Sequence, residues 1–183
     1  MHQNNMALQS KIKKCTLEQV HILQELAIKT YYETFSDSNS EALLQKYFKE
    51  SLNIEKLSTQ LQEPASEFYF IYSETDHAQT TPAGFLKLNI DNAQTDLMDA
   101  TALEVEKIYL LKAFLSQGLG KQMINFSIER AIQQDKKHLW LGVWENNFPA
   151  LAFYKKMGFE AFGKHDFDMG GDIQTDLLLK KIL

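Results

Sequence analysis

Residues 101–134 constrain this chain more than any other stretch. TALEVEKIYLL (Thr101 to Leu111) reads as a long strand, the run through SQGLG turns, and an amphipathic helix follows from Gln117 to about Gln134. A strand that hands over to a helix in this way presents backbone N–H groups and the positive end of a helix dipole at one corner. Gly118 and Gly120 leave no Cβ in the way, so a pyrophosphate can be bound there without a phosphate-reading side chain. A lone G-x-G is more often a plain turn, but its position directly after a long strand favours phosphate. Nucleotide signatures do not match. A Walker A loop needs glycine where Leu115 stands and Ser or Thr where Gln122 stands, and a Rossmann fingerprint needs glycine at Met123.

The rest of the chain alternates in type. A short strand is expected over Gln9 to Cys15, then a helix capped by Thr16 and running to about Thr34, with Leu17, Val20, Leu23, Leu26 and Ala27 on one face. A second helix opens at Ser40, and a third spans Ile54 to Leu61 before Pro64. Glu67 to Ser73 and Ala83 to Ile90 form a hairpin. His138 to Val143 is a buried strand, a helix starts at Asn147 or Phe148 and ends at Gly158, and Gly158 to Phe167 with Ile173 to Lys180 closes as a second hairpin. In the helix after the glycine turn, Gln122, Asn125, Glu129 and Gln133 mark a solvent stripe. The order β, three helices, ββ, β, α, β, α, ββ gives an α/β fold with a mixed sheet. It has no repeat or linker, so one domain over 1–183 is expected.

Composition narrows the function. With 183 residues and 44% apolar content, the chain has enough length for a real core, and a net charge of −5 disfavours nucleic acid while suiting a cationic substrate. Cys15 is the single cysteine, which leaves no intrachain disulfide, and the histidines (His2, His21, His77, His138, His165) show no ligand spacing, so no metal is expected. MHQNNMA lacks the apolar core of a signal peptide, and no run approaches the roughly 20 apolar residues of a membrane helix. A cytoplasmic location and no membrane partner follow as expectations. Oligomeric state is not legible, and a homodimer is left open.

On these residues the chain resembles the GNAT superfamily of acyl-CoA N-acyltransferases. That family carries a Q/R-x-x-G-x-G/A turn after its fourth strand, matched here by Leu115-Ser116-Gln117-Gly118-Leu119-Gly120 with Leu115 in place of the leading Gln or Arg. A second segment, N-x-x-A-x-x-x-Y-x-K-x-G-F, is matched by Asn147, Ala150, Tyr154, Lys156, Gly158 and Phe159. The resemblance implies a mostly antiparallel seven-stranded sheet flanked by helices and splayed between strands 4 and 5, with acetyl-CoA as cofactor. It implies that Ser116 to Lys121, with Gly118, Leu119 and Gly120 at the centre, hold the pyrophosphate. The main chain of Ile108, Tyr109 and Leu110 would pair with pantetheine. Asn147, Ala150 and Phe153 would contact the cofactor, and Lys156 would reach its 3′-phosphate end. ETFSDSNS, SEFYFIY, LEVEKIYL and HDFDMGGDIQTDLLLKK resemble, more narrowly, bacterial spermidine/spermine N-acetyltransferases.

The chemistry implied is attack of an amine on a thioester. An alkylamine with a pKa near 10.4 is about one part in 10³ neutral at pH 7, so a carboxylate must help remove its proton. Glu104 and Glu106, two apart on the strand, share a face and are expected to point the same way as Ile108 and Leu110. Either is the candidate base or amine ligand; the alternative is rim charges neutralised by Lys107 or Lys112. The resemblance makes Tyr154 the acid for the departing thiolate, against a Tyr packed between Phe153 and Phe159. Asn147 could instead be an N-cap. Tyr31, Tyr32 and Phe35 could flank an aliphatic amine, although such a stripe is more often core. Glu33, Asp37, Asp166 or Asp168 could pair with a distal ammonium, and His165 could shuttle protons or simply be a surface histidine. The favoured partner is a small-molecule amine, a polyamine first. A peptide N-terminus or an aminoglycoside is the runner-up within the enzyme class, and a non-catalytic CoA-binding module is the reading from another class.

Overall fold

The computed structural model describes residues 12–73, 80–168 and 173–183; the side chains of Phe167 and Asp168 also lie outside the described set. The beginning of the first expected strand (Gln9 to Lys11), the tips of both expected hairpins, and His2 and His77 fall outside it as well. The strands are β1 (Ile12–Lys14), β2 (Ser66–Tyr72), β3 (Pro82–Ile90), β4 (Ala102–Leu110), β5 (His138–Trp144), β6 (Glu160–Asp168) and β7 (Ile173–Ile182). The helices are α1 (Val20–Phe35), α2 (Glu41–Ser51), α3 (Ile54–Gln62), α4 (Leu119–Gln133) and α5 (Phe148–Lys156). The expected order of elements holds.

Local chemistry accounts for the boundaries. Gln19 Oε1 accepts from the Thr16 amide at 3.0 Å, and a 3₁₀ turn at Leu17–Gln19 leads into α1. Ser40 caps α2 by accepting from Leu43 N, and Asn53 Oδ1 caps α3 by accepting from Lys56 N at 2.9 Å. Burial along α1 at Val20, Leu23, Leu26, Ala27 and Thr30 follows the helical period. Of the face expected for this helix, Leu17 alone is largely exposed.

The seven strands form one sheet in the order β1-β2-β3-β4-β5-β7-β6, antiparallel everywhere except β4 beside β5. The first three helices cover one face with Leu23, Leu44 and Leu57 packed on Phe68, Phe70 and Phe85. On the other face α4 and α5 bury Met123, Ile124, Tyr154 and Phe159 against Leu103, Val105, Leu139 and Leu141. Cys15 lies in the first core at 4% exposure, and burial pushes its thiol up to about 12.

Two irregularities shape the centre of the sheet. Parallel pairing of β4 with β5 is confined to Ala102↔His138, Leu103↔Leu139 and Glu104↔Trp140, after which the strands part. In addition, Lys87 faces Lys107 and Leu88 faces Val105, so Glu106 is an extra residue in β4. A bulge resets the alternation of side chains. Leu103 and Val105 before it, and Ile108 and Leu110 after it, all turn to the α4–α5 core. The expectation that Glu104 and Glu106 point the same way as Ile108 and Leu110 is therefore corrected: the two acids face the opposite side of the sheet.

Gly84 sits opposite Leu110, and a Cβ there would collide with the Tyr109 carbonyl oxygen. Because the obstacle is backbone, Gly84→Ala is expected to lower stability by about 3 kcal/mol in urea denaturation. An unchanged midpoint would show that β3 and β4 separate freely here.

Candidate active site

The glycine turn is built as the sequence suggests. A 3₁₀ turn (Lys112–Phe114) follows β4, Ser116 takes φ +62°, and Gly118 takes φ +81° as the N-cap of α4. No side chain caps this helix, and among the described residues the amides of Gln117 to Lys121 find no acceptor. Gln117 instead turns its side-chain amide to Ala113 O at 2.9 Å. A Cβ at Gly118 would meet open space, and one at Gly120 would make ordinary contact with the Phe153 ring, 3.5 Å away, and with Leu110 Cδ1 at 3.9 Å. This corner is an open cradle of donors at a helix N-terminus and suits a diphosphate. Leu119 is buried beneath it, whereas Ser116 and Lys121 are exposed. Gln122 departs from its expected solvent stripe: its Oε1 is buried with no hydrogen-bond partner among the described residues. Beside the cradle, Ile108, Tyr109 and Leu110 lie on β4 beyond the last pair shared with β5, so their main chain borders the gap.

Helix α5 is pinned at both ends. Asn147 Oδ1 accepts from Ala150 N at 3.3 Å, which makes Asn147 an N-cap, and Pro149 occupies the first turn. At the other end Phe159 N donates to Tyr154 O at 3.0 Å, Gly158 N donates to Lys155 O at 3.1 Å, and Gly158 takes φ +82°. This is a Schellman cap, with Phe159 packed on Tyr154 at 5.7 Å between ring centroids. The spacing Y-x-x-x-G-F thus has a local cause: the cap orients Tyr154. Tyr154 is 7% exposed, burial raises its phenol above the ordinary value, and its hydroxyl has no hydrogen-bond partner among the described residues. Phe153 lies edge-on to it at 5.2 Å, while Lys156 is exposed.

A cavity of ≈ 270 Å³ opens on the opposite face, where β4 and β5 part. Glu104, Glu106, Asp96 and Asp176 line it together with His165 and Trp140. Gly142 keeps its floor clear, since a Cβ there would stand 3.4 Å from Asp176 Oδ2. Asn89 Nδ2 donates to both acids of β4, at 2.9 Å to Glu104 and 2.6 Å to Glu106. The segment between β3 and β4 crosses above them. There Thr95 donates to Glu104 through both its amide, at 3.0 Å, and its hydroxyl, and Gln94 accepts from Trp140 Nε1 at 2.7 Å.

These carboxyls differ in character. Burial raises Glu104 above the usual carboxylate range, against hydrogen bonds from Thr95 and Asn89. Burial also pushes Glu106 upward, but Lys107 and Lys87 outweigh it and hold the group below that range. Lys87 is itself buried, bonded to Glu106 and Gln60, and desolvation lowers its affinity for a proton. Asp176 is raised by burial and by Asp96, and His165 opposes that shift. Carboxylates set apart in this way divide proton-accepting from purely electrostatic roles.

Tyr31 and Phe35 join Tyr47, Phe48, Tyr109 and Trp144 in an aromatic cluster, with Tyr31 on Tyr47 at 4.3 Å and Phe35 on Trp144 at 6.4 Å. Tyr32 does not join it. One helical step of α1 turns it away, 43% exposed, which corrects its expected placement. Glu33 is committed to the Lys112 amide at 2.6 Å, Asp37 is exposed, and Asp166 accepts from Thr175. Besides Glu104 and Glu106, the carboxylates that reach the cavity are Asp96 and Asp176, which no motif in the sequence marks. Asp176 shares a face of β7 with Leu178, while Leu177 and Leu179 turn to the core, a legible period-2 signal once the neighbours of that strand are known.

Comparison with known proteins decides the family. The model of the acetyltransferase (GNAT) family matches residues 21–159. The chain belongs to the acetyltransferase (GNAT) family. It is 42% identical over 154 residues to an uncharacterised N-acetyltransferase in the pepI 3′ region of Lactobacillus delbrueckii subsp. lactis, covering 84% of this chain and 86% of that protein. It is also 31% identical over 65 residues to a probable spermine N(1)-acetyltransferase of Bacillus subtilis subsp. natto, covering 35% of this chain and 43% of the relative. The PaiA N-acetyltransferase of Thermoplasma acidophilum, crystallised with coenzyme A, shares the fold with a TM-score of 0.74 at 21% identity, over 94% of this chain and 98% of that one. The GNAT fold is thus established, and acetyl-CoA is the acyl donor used by this family.

Gly120→Ala should leave the melting temperature unchanged without CoA, because the new methyl meets only ordinary contact. It should weaken CoA binding about tenfold by crowding the cradle. Gly118→Ala should weaken it as well and also cost about 1–2 kcal/mol, from the left-handed backbone. Calorimetric CoA titrations of both variants that match the parent would remove the turn from the cofactor site.

Proposed function

We propose that this GNAT protein transfers the acetyl group of acetyl-CoA to a primary amine of a polycation such as spermidine or spermine. The observation that carries the reading is the cavity at the splay, where four carboxylates converge and only Glu106 is neutralised by lysines. Crowded carboxylates repel one another, and a cationic guest relieves that repulsion. The partial likeness to the Bacillus spermine N(1)-acetyltransferase supports the same substrate class.

The donor, when bound, supplies a thioester carbonyl as the electrophile. Glu104 takes the proton from the acceptor ammonium, directly or through water, because its raised proton affinity suits a base better than the lysine-held Glu106. The freed amine forms the N–C bond, and a main-chain N–H near Leu110 steadies the developing oxyanion. As the C–S bond breaks, Tyr154 gives its proton to the sulfur and regains one from the acylated nitrogen, which sheds its second proton through water; burial keeps that phenol protonated until the transfer. Charge on Tyr154 would oppose ionisation of the buried Tyr109, whose own phenol is raised first by burial. The cradle of amides from Gln117 to Lys121 holds the diphosphate throughout.

Release of free thiol from acetyl-CoA, followed with spermidine, spermine and a panel of peptides, tests this reading. Polyamines should raise turnover well above background. Turnover with peptides alone would overturn the substrate class, and no turnover while CoA still protects against heat would overturn the enzymatic role. Tyr154→Phe should lower kcat about tenfold or more with CoA affinity nearly unchanged, and Glu104→Gln should lower kcat/KM by about 10²-fold. Parent-like kcat in either variant would reassign that proton transfer.

A further inference from the structure

The two ends of the cavity are built differently. At the β4 end, Glu104 and Glu106 are tied by Asn89, Thr95 and Lys87, which fixes them. At the other end, Asp96 comes from the segment between β3 and β4, Asp176 comes from β7, and His165 of β6 lies between them. His165 Nδ1 meets Asp96 Oδ2 at 2.7 Å, and His165 is the register partner of Asp176. Asp176 has no hydrogen-bond or ion-pair partner among the described residues, although its side chain lines the cavity.

The Asp96–His165 pair is also easily broken. The His165 side chain is 46% exposed and that of Asp96 31%, so water screens the pair and it contributes little to folding. No lysine or arginine pairs with Asp96 among the described residues. Asp176 of β7 also lines this end, whereas Asp166 accepts from Thr175. An imidazole thus touches Asp96 and stands opposite Asp176 in the strand register, between the two carboxylates.

We propose that His165 is a stand-in for the distal ammonium of the acceptor, and that Asp96 and Asp176 form a subsite selecting amines with a second positive charge. The proposal rests on the acetyltransferase reading above and adds the residues that decide acceptor choice. When a diamine or longer polyamine enters, its far ammonium takes the place of His165 between the two carboxylates, and the imidazole swings toward solvent. A monoamine reaches Glu104 equally well but leaves this end as it is. His165 therefore opposes binding of the charged tail, whereas Asp96 favours it, and the two residues have effects of opposite sign although they touch.

The experiment compares steady-state kinetics for spermidine and n-butylamine in Asp96→Asn, Asp176→Asn, His165→Ala and the Asp96→Asn/His165→Ala double variant. Asp96→Asn and Asp176→Asn should each raise the spermidine KM about tenfold with little change in kcat. His165→Ala should lower the spermidine KM about threefold, the scale of an exposed ion pair. The double variant should behave like Asp96→Asn, since a stand-in has nothing left to occupy. n-Butylamine, which carries no second charge, should be affected far less than spermidine in all four. If His165→Ala and Asp96→Asn both weaken spermidine use, or if both amines suffer alike, the pair only tethers the segment and the proposal fails while the acetyltransferase reading stands. If the parent uses neither amine, that reading fails first.

Discussion

The single extra residue in β4 is the constraint on which the active-site geometry depends. A strand alternates its side chains strictly, so four consecutive odd or even positions cannot serve both a buried core and a charged cavity. With Glu106 left out of the pairing with β3, Glu104 and Glu106 face one side while Ile108 and Leu110 return to the core under α4. The same stretch of β4 parts from β5, which opens a main-chain edge between the two faces. Shape and charge at the centre of the sheet thus come from one local irregularity. A regular strand would carry either two apolar residues into the cavity or two acids into the core, and both are costly.

Electrostatic division of labour follows from who stands beside each carboxyl. Glu106 has two lysines, one of them buried, and stays ionised as part of the scaffold. Glu104 is held by neutral donors alone, so burial dominates and its proton affinity rises. Tyr154 is treated in the opposite way. It is fixed by an Asn147 cap before it and a glycine cap after it, with its hydroxyl left unengaged among the described residues. Anchoring through the backbone leaves the hydroxyl free of competing bonds, a sound arrangement for the proton donor proposed above.

What could be read from the chain was local. The glycine turn, the Asn147-to-Phe159 segment and the order of elements rest on contacts within a few residues, and the family model spans the same region. The bulge was not legible, because it exists only relative to β3. Asp96 lies in an irregular segment that no periodicity marks, and Asp176 needed the insertion of β7 between β5 and β6 before its face had meaning. Tyr32 was grouped with its neighbours by proximity in sequence, yet a helix sends adjacent residues about 100° apart. Lys87 carries no signal in the sequence, and its role follows only from its burial beside Glu106.

The lone cysteine has a practical bearing on this chemistry. A thiol as deeply enclosed as Cys15, and so reluctant to ionise, offers almost no thiolate to an electrophilic dye in the native molecule. Sulfhydryl-detecting reagents therefore see the product of acyl transfer without a contribution from the protein itself. Once the fold opens, each chain exposes one such group, and the same reagent becomes a stoichiometric counter of denatured molecules.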